Sequence, residues 1–282
     1  QGEGDAVAVG HAHRVQALEV ASEGVQPEVR LERVGLEVAE HLGQAPAQVG
    51  VGRHEAGEAP VRILERLREG GLDDVAGLRI ENDVGHIVLL PFQGQQVWDA
   101  SFHGRRLTME SVFAEPVAAS DLLSSYGAFL VHCGATAMGN PGPEDRHPLH
   151  GELPQAPFQT ARLLAGADGE GPYMGLSGLY RHQQAFSHHY VAEPELLLHR
   201  GSGILDLRMA IRNCRKSPME LMYLAHVNLR PVDGGRLVDT VPDDPRHIRI
   251  RERLPGFFAP SADREKLLAS LKAEPARHRH IV

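Results

Sequence analysis

Two histidines stand where strand-like sequence meets a turn: His150 in Pro148-Leu149-His150-Gly151-Glu152, and His226 in Tyr223-Leu224-Ala225-His226-Val227-Asn228. Imidazole gains and loses a proton near neutral pH, so two such groups converging on one cleft could move protons on a neutral substrate. Pro148, Pro154 and Pro157 stiffen the first segment and Gly151 lets it turn tightly, which suits a loop that holds a side chain at a cleft edge. His226 ends an apolar run, where a polar ring is costly unless it is hydrogen-bonded or works at a pocket. Each also has a plainer reading, a solvated loop histidine for His150 and a satisfied core histidine for His226. Glu152, Gln155 and Asn228 lie beside the pair and could bind hydroxyl groups, although polar loop residues ordinarily face water.

The elements that would position these groups are β-strands. Leu78–Glu81, His86–Leu90 and Val97–Phe102 are short apolar runs separated by Asn82-Asp83-Val84-Gly85 and Pro91-Phe92-Gln93-Gly94, a spacing that predicts an antiparallel sandwich or barrel. Leu205, Leu207, Met209 and Ile211 alternate with Asp206, Arg208 and Arg212, as in a strand with one face on a core and one in water. Met219–Leu229 is nearly all apolar and reads as a strand buried on both faces. Val88, Leu90, Trp98, Leu207, Met209, Ile211 and Leu221 are the expected core.

Residues before about Leu72 have a different alphabet. The first aromatic is Phe92, and this stretch holds no lysine, asparagine, threonine, cysteine or methionine. Leu31, Val34, Val38 and Leu42 fall on one helical face, and Val61–Leu67 could form a second short helix. The expectation is a loosely packed or disordered N-terminal extension over 1–71. Its composition also fits a fragment or shifted reading frame from a GC-rich genome.

The 282 residues, 42% of them hydrophobic, suffice for a large core. A net charge of −8 with both signs interspersed offers no basic face for nucleic acid. No apolar run approaches the roughly 20 residues of a membrane helix, and a cytoplasmic location is expected. Cys133 and Cys214 belong to no Cys-x-x-Cys pair and are expected to be buried free thiols. His182, His188 and His189 surround Phe186 without a recognised ligand spacing and read as a solvated loop; His132 could line a cleft or pack.

The Leu-His-Gly element at His150, preceded by Cys133-Gly134 and followed by Pro154-Gln155-Ala156-Pro157, together with His226 and its companion Asn228, resembles the aldose 1-epimerase (galactose mutarotase-like) superfamily, in a sparsely characterised bacterial branch. The resemblance runs from about Leu72 to Asp244. It implies an all-β supersandwich over 72–244, followed by an irregular or helical tail over 245–282. It also implies an isomerase that interconverts sugar anomers without cofactor or metal, with a small-molecule sugar as partner, His226 as general acid and His150 as sugar-binding partner. The superfamily's base is a glutamate on a later strand. This chain has no match for it: Glu274 follows the helical pattern Arg264–Leu271, and the sandwich is expected to be incomplete at its C-terminal side, with weak or no activity. Two other readings stand beside this one, a sugar-binding module without turnover and a metal-dependent isomerase of cupin type using His147, His150, Glu152 and His226. The last departs from the usual cupin ligand spacing.

Overall fold

The computed structural model describes residues 35–38, 75–232, 234–235, 242, 244, 246–250 and 261–279. Its strands are β1 (Gly35–Val38), β2 (Leu78–Asn82), β3 (Gly85–Leu89), β4 (Val97–Phe102), β5 (Arg105–Arg106), β6 (Leu130–Ala135), β7 (Thr160–Asp168), β8 (Gly171–Gln183), β9 (His189–His199), β10 (Leu205–Asn213) and β11 (Met222–Val227). They form two antiparallel sheets, one ordered β1-β7-β8-β9-β10 and the other β11-β6-β4-β3-β2 with β5 paired to β4. This is the all-β sandwich expected from the alternation.

The layer between the sheets is apolar. Leu78, Ile80, Ile87, Leu89, Ala100 and Phe102 of the β11-to-β2 sheet meet Ala161, Leu176, Leu196, Leu198, Leu205 and Leu207 of the other. A second cluster, with Val88, Leu90, Trp98, Val131 and Cys133, covers the opposite face of the β11-to-β2 sheet beneath Leu122, Tyr126 and Leu149. Strand β6 is therefore buried at all six positions, with apolar material on both sides. Val88 pairs with Asp99 and Leu89 with Val97, so Trp98 is the extra residue of a bulge in β4, and it lies in that outer cluster. Of the expected core, Val88, Leu90, Trp98, Leu207 and Ile211 are buried, while Met209 and Leu221 pack partly buried against it.

The turn read at Asn82-Asp83-Val84-Gly85 closes the β2–β3 hairpin. Asn82 Oδ1 accepts from the amides of Val84 and Gly85, each at 3.0 Å, while Asn82 Nδ2 donates to the carbonyls of His199 and Ser202 and so ties the hairpin to the other sheet.

Several expectations are corrected. Gly35–Val38, inside the stretch read as a helical face, is a strand that pairs with β7 from Gly35↔Leu164 to Val38↔Ala161. Hydrogen bonding along an otherwise open strand edge outweighs a helical spacing that is marginal over so short a segment. Val61–Leu67 and the rest of 1–71 lie outside the described residues. Met219–Leu229 is not a doubly buried strand: β11 lies at a sheet edge, and Met222 and Leu224 are more than a third exposed. His182 and His189 lie in β8 and β9 rather than in a solvated loop, and Cys214 is only partly buried.

The chain divides into two compact units, His13–Arg230 and a second formed by Gln1–Ala12 with Pro231–Val282. Helix α1 (Ala262–Ala273) belongs to the second; Ser261 Oγ caps it by accepting from the Arg264 amide, and Glu274 is its C-terminal cap residue. No helix among the described residues is long and apolar enough to cross a membrane.

His132, from β6, is buried between the sheets with Nδ1 2.8 Å from the Tyr223 hydroxyl, and burial lowers its pKa to about 4. Because the unfolded chain takes up this proton first, the full stability is present above the ordinary value of about 6.5 and is lost as pH falls toward 4. The loss comes to about 3 kcal/mol from this group. Denaturant titrations across that window should show the decline in the wild-type protein and a shallower one in His132→Gln; equal slopes would remove His132 as the cause.

Candidate functional site

Strand alternation sorts the residues of β11. Ala225 and Val227 pack on the core between the sheets, so His226 emerges on the outer face of its sheet. His150 reaches the same place from the loop between β6 and β7. The two imidazoles lie with ring centroids 5.7 Å apart at an interplanar angle of 64°.

The backbone of the loop is built to put His150 there. His150 occupies the left-handed region at φ +61°, a conformation that costs a non-glycine residue of order 1 kcal/mol and persists only when its surroundings hold it. Here its amide donates to the Gly139 carbonyl at 3.0 Å and its carbonyl accepts from the Gly134 amide at 2.8 Å. Gly151, at φ +79°, approaches the end of β6 so closely that a Cβ would lie 2.5 Å from the carbonyl oxygens of both Gly134 and Ala137. The Leu-His-Gly element thus needs its glycine for contact as well as for turning.

The Nδ1 atoms of His150 and His226 are buried and have no hydrogen-bond partner among the described residues. Burial, and next the charge of the nearby His226 ring, hold the His150 pKa below its ordinary value, so His150 is neutral at pH 7.

The other three expected site residues have defined internal partners. Asn228 is buried; its Nδ2 donates to the Ala128 carbonyl at 2.9 Å and its Oδ1 accepts from the Tyr126 hydroxyl at 2.9 Å. Glu152 accepts through Oε1 from the amides of Ala135 and Thr136 and the hydroxyl of Tyr190, and through Oε2 from the Thr136 hydroxyl. Gln155 donates from Nε2 to Ser125 Oγ at 2.6 Å, while its Oε1 is buried and has no partner among the described residues. Glu152 and Gln155 also line a cavity of about 540 Å³ whose walls include Ala118, Leu122, Leu149 and Pro157.

Tyr126 belongs to the site and was missed in the sequence. Its ring meets His226 edge-on at 6.2 Å, and burial raises its hydroxyl pKa. The available signal was an aromatic residue beside glycine in the otherwise polar run Ser124-Ser125-Tyr126-Gly127. His132, by contrast, faces the layer between the sheets.

The ligand set of the cupin-type reading is not assembled. Among the described residues, the group whose potential ligand atoms lie within 4.8 Å of one another is Glu170, His199 and Asp206, on the other sheet. His147 is engaged through Nδ1 with its neighbour's carbonyl, that of Pro148.

A β-sandwich that gathers two imidazoles and a tyrosine on the outer face of one sheet is the class to which this molecule belongs. Residues 74–235, more than half of the chain, match the family described as domain of unknown function DUF4432, and the chain belongs to that family. No curated protein matches it. Among solved structures, a Klebsiella pneumoniae protein described as a "putative aldose 1-epimerase" is similar, with a TM-score of 0.55 and 20% identity over 62% of this chain and 50% of that one. The likeness is one of fold, and this chain spans about half the length of that relative.

The geometry makes His150 titration measurable. Its imidazole signals should move with a midpoint below 6.5 in an NMR pH titration, and His226→Gln should shift that midpoint upward in part, leaving the contribution of burial. No shift on substitution would mean that the two rings do not interact electrostatically.

Proposed function

We propose that this protein is a mutarotase-like carbohydrate isomerase that interconverts the anomers of a free sugar by acid–base ring opening. The observation that carries this is the convergence of His150 and His226, 5.7 Å apart, on one face of a sheet whose fold is shared with a protein described as a putative aldose 1-epimerase. Anomer exchange requires that a base take the proton of the anomeric hydroxyl while an acid protonates the ring oxygen. Rotation about the exposed carbonyl carbon and reclosure on the other face then give the other anomer.

In this scheme His226 is the acid that protonates the ring oxygen, and solvent water takes the proton of the anomeric hydroxyl. His150, neutral at pH 7, accepts a hydrogen bond from a sugar hydroxyl and orients the ring. Asn228 holds Tyr126 against His226, Glu152 holds the loop that carries His150, and Gln155 shapes the adjoining cavity wall. The reaction needs neither metal nor cofactor, and its setting is carbohydrate metabolism in the cytoplasm.

A second reading, sugar binding without turnover, is favoured by one observation. Glu152, the carboxylate nearest in sequence to His150, has both oxygens occupied by donors of the protein itself and is not free to act as base.

Anomer exchange of D-glucose and D-galactose, followed by NMR alongside a binding titration, decides between them. The isomerase reading expects weak exchange above the buffer rate, which His226→Asn should return toward the buffer rate while binding changes much less. Binding with exchange at the buffer rate would establish the second reading, and absence of both would overturn the assignment to sugars.

A further inference from the structure

The Tyr190 hydroxyl comes from β9, in the sheet opposite the one that carries His226, yet its acceptor is the Glu152 carboxylate on the loop of His150. We propose that Tyr190 and Glu152 form a latch that positions His150, so that the placement of the site imidazole on one sheet is set by a tyrosine of the other.

The latch is built from four bonds to one carboxylate. Glu152 Oε1 accepts from the Ala135 amide at 3.2 Å, the Thr136 amide at 3.1 Å and the Tyr190 hydroxyl at 2.5 Å; Oε2 accepts from Thr136 Oγ1 at 2.7 Å. Ala135 ends β6, and Thr136 begins the loop. The carboxylate therefore clamps the outgoing end of that loop, at 152, to its start, at 135–136, around the turn that holds His150 in its left-handed conformation. The same turn is closed on its other side by the Gly134 amide donating to the His150 carbonyl. Hydrogen bonds to an ionised acceptor are stronger than neutral ones, and a buried hydroxyl placed on one fixes both partners.

Tyr190 is itself immobilised. It is fully buried; its ring stacks on His182 at 5.0 Å and 24° and meets Tyr180 edge-on at 6.2 Å. The Tyr180 hydroxyl lies 3.0 Å from His182 Nδ1, so this neighbour's own polar contact is to His182. The proton of Tyr190 is held firmly on its oxygen, because burial and the adjacent Glu152 charge both raise its pKa far above the ordinary value. Tyr190 consequently serves as a donor to the carboxylate and not as an acid or base in the reaction. It is a positioning residue, and the consequence for turnover rests on the isomerase reading above, whereas the latch itself does not.

The test uses the full chain and reads structure and activity separately. Tyr190→Phe removes one donor, with Tyr180→Phe as the control that removes a buried hydroxyl from the same cluster without touching Glu152. In Tyr190→Phe the amides of Gly134 and Thr136 should exchange with solvent roughly tenfold or more faster than in the wild type, the scale of one lost charge-assisted hydrogen bond. The His150 imidazole should titrate closer to its ordinary midpoint, and both signals should stay at wild-type values in Tyr180→Phe. Where sugar exchange is detected, kcat should fall in Tyr190→Phe with KM little changed. If Tyr190→Phe does not yield folded protein, Thr136→Val makes the same comparison by removing the donor to Oε2. Unchanged Gly134 exchange and His150 titration in the folded variant, or equal effects in Tyr180→Phe, would overturn the latch. Altered signals with no sugar exchange in any variant would uphold the latch and count against the isomerase reading alone.

Discussion

The structure turns on one strand that has no wet face. Strand β6 is buried at every position because the core between the sheets covers one side and a second apolar cluster covers the other. The second covering is made by the loops before and after β6, through residues such as Leu122, Tyr126, Met138 and Leu149. Those loops fold back over the sheet because Val131, Cys133 and Trp98 would otherwise expose apolar surface there, at roughly 25 cal/mol per Å² left in water. In folding back, the second loop delivers His150 to the face from which His226 emerges. The demand for a covered outer face thus creates the wall of the site.

Polar groups at this boundary are placed with the same economy. Asn228, just after β11, uses its amide nitrogen on the Ala128 carbonyl and its oxygen on Tyr126, tying the end of that strand to the loop before β6. Glu152 does the corresponding work at the end of β6. Even a half-buried carboxylate is costly to desolvate, and four donors offset that cost. Both residues sit where a sugar-binding role was expected from their neighbourhood in the chain, and both are already engaged by the protein.

What was legible in the sequence was whatever local period or turn chemistry dictates. The alternation of Leu205 to Ile211 gave β10, the Asn82–Gly85 turn gave the first hairpin, and Leu-His-Gly and the strand-end histidine marked the two imidazoles. What was not legible depended on long-range placement. Nothing local in Gly35–Val38 marks it as the partner of β7, and nothing local in Met219–Leu229 separates an edge strand from a central one. Tyr126 was hidden because its importance comes from Asn228, a hundred residues away, and Tyr190 because its partner lies on a loop of the other sheet.

The two imidazoles stand close enough for each to feel the other's charge. At 5.7 Å, two positive charges repel by about 1 kcal/mol in a water-like medium and about 3 kcal/mol at the effective dielectric of a partly buried site. Repulsion of that size disfavours charge on both rings at once. Burial already commits His150 to the neutral state. The nearby His226 ring adds to that effect, so burial and the neighbouring imidazole act on His150 in the same direction. Two like residues thus stand in unlike surroundings, and the stiff, doubly clamped loop around His150 maintains that difference.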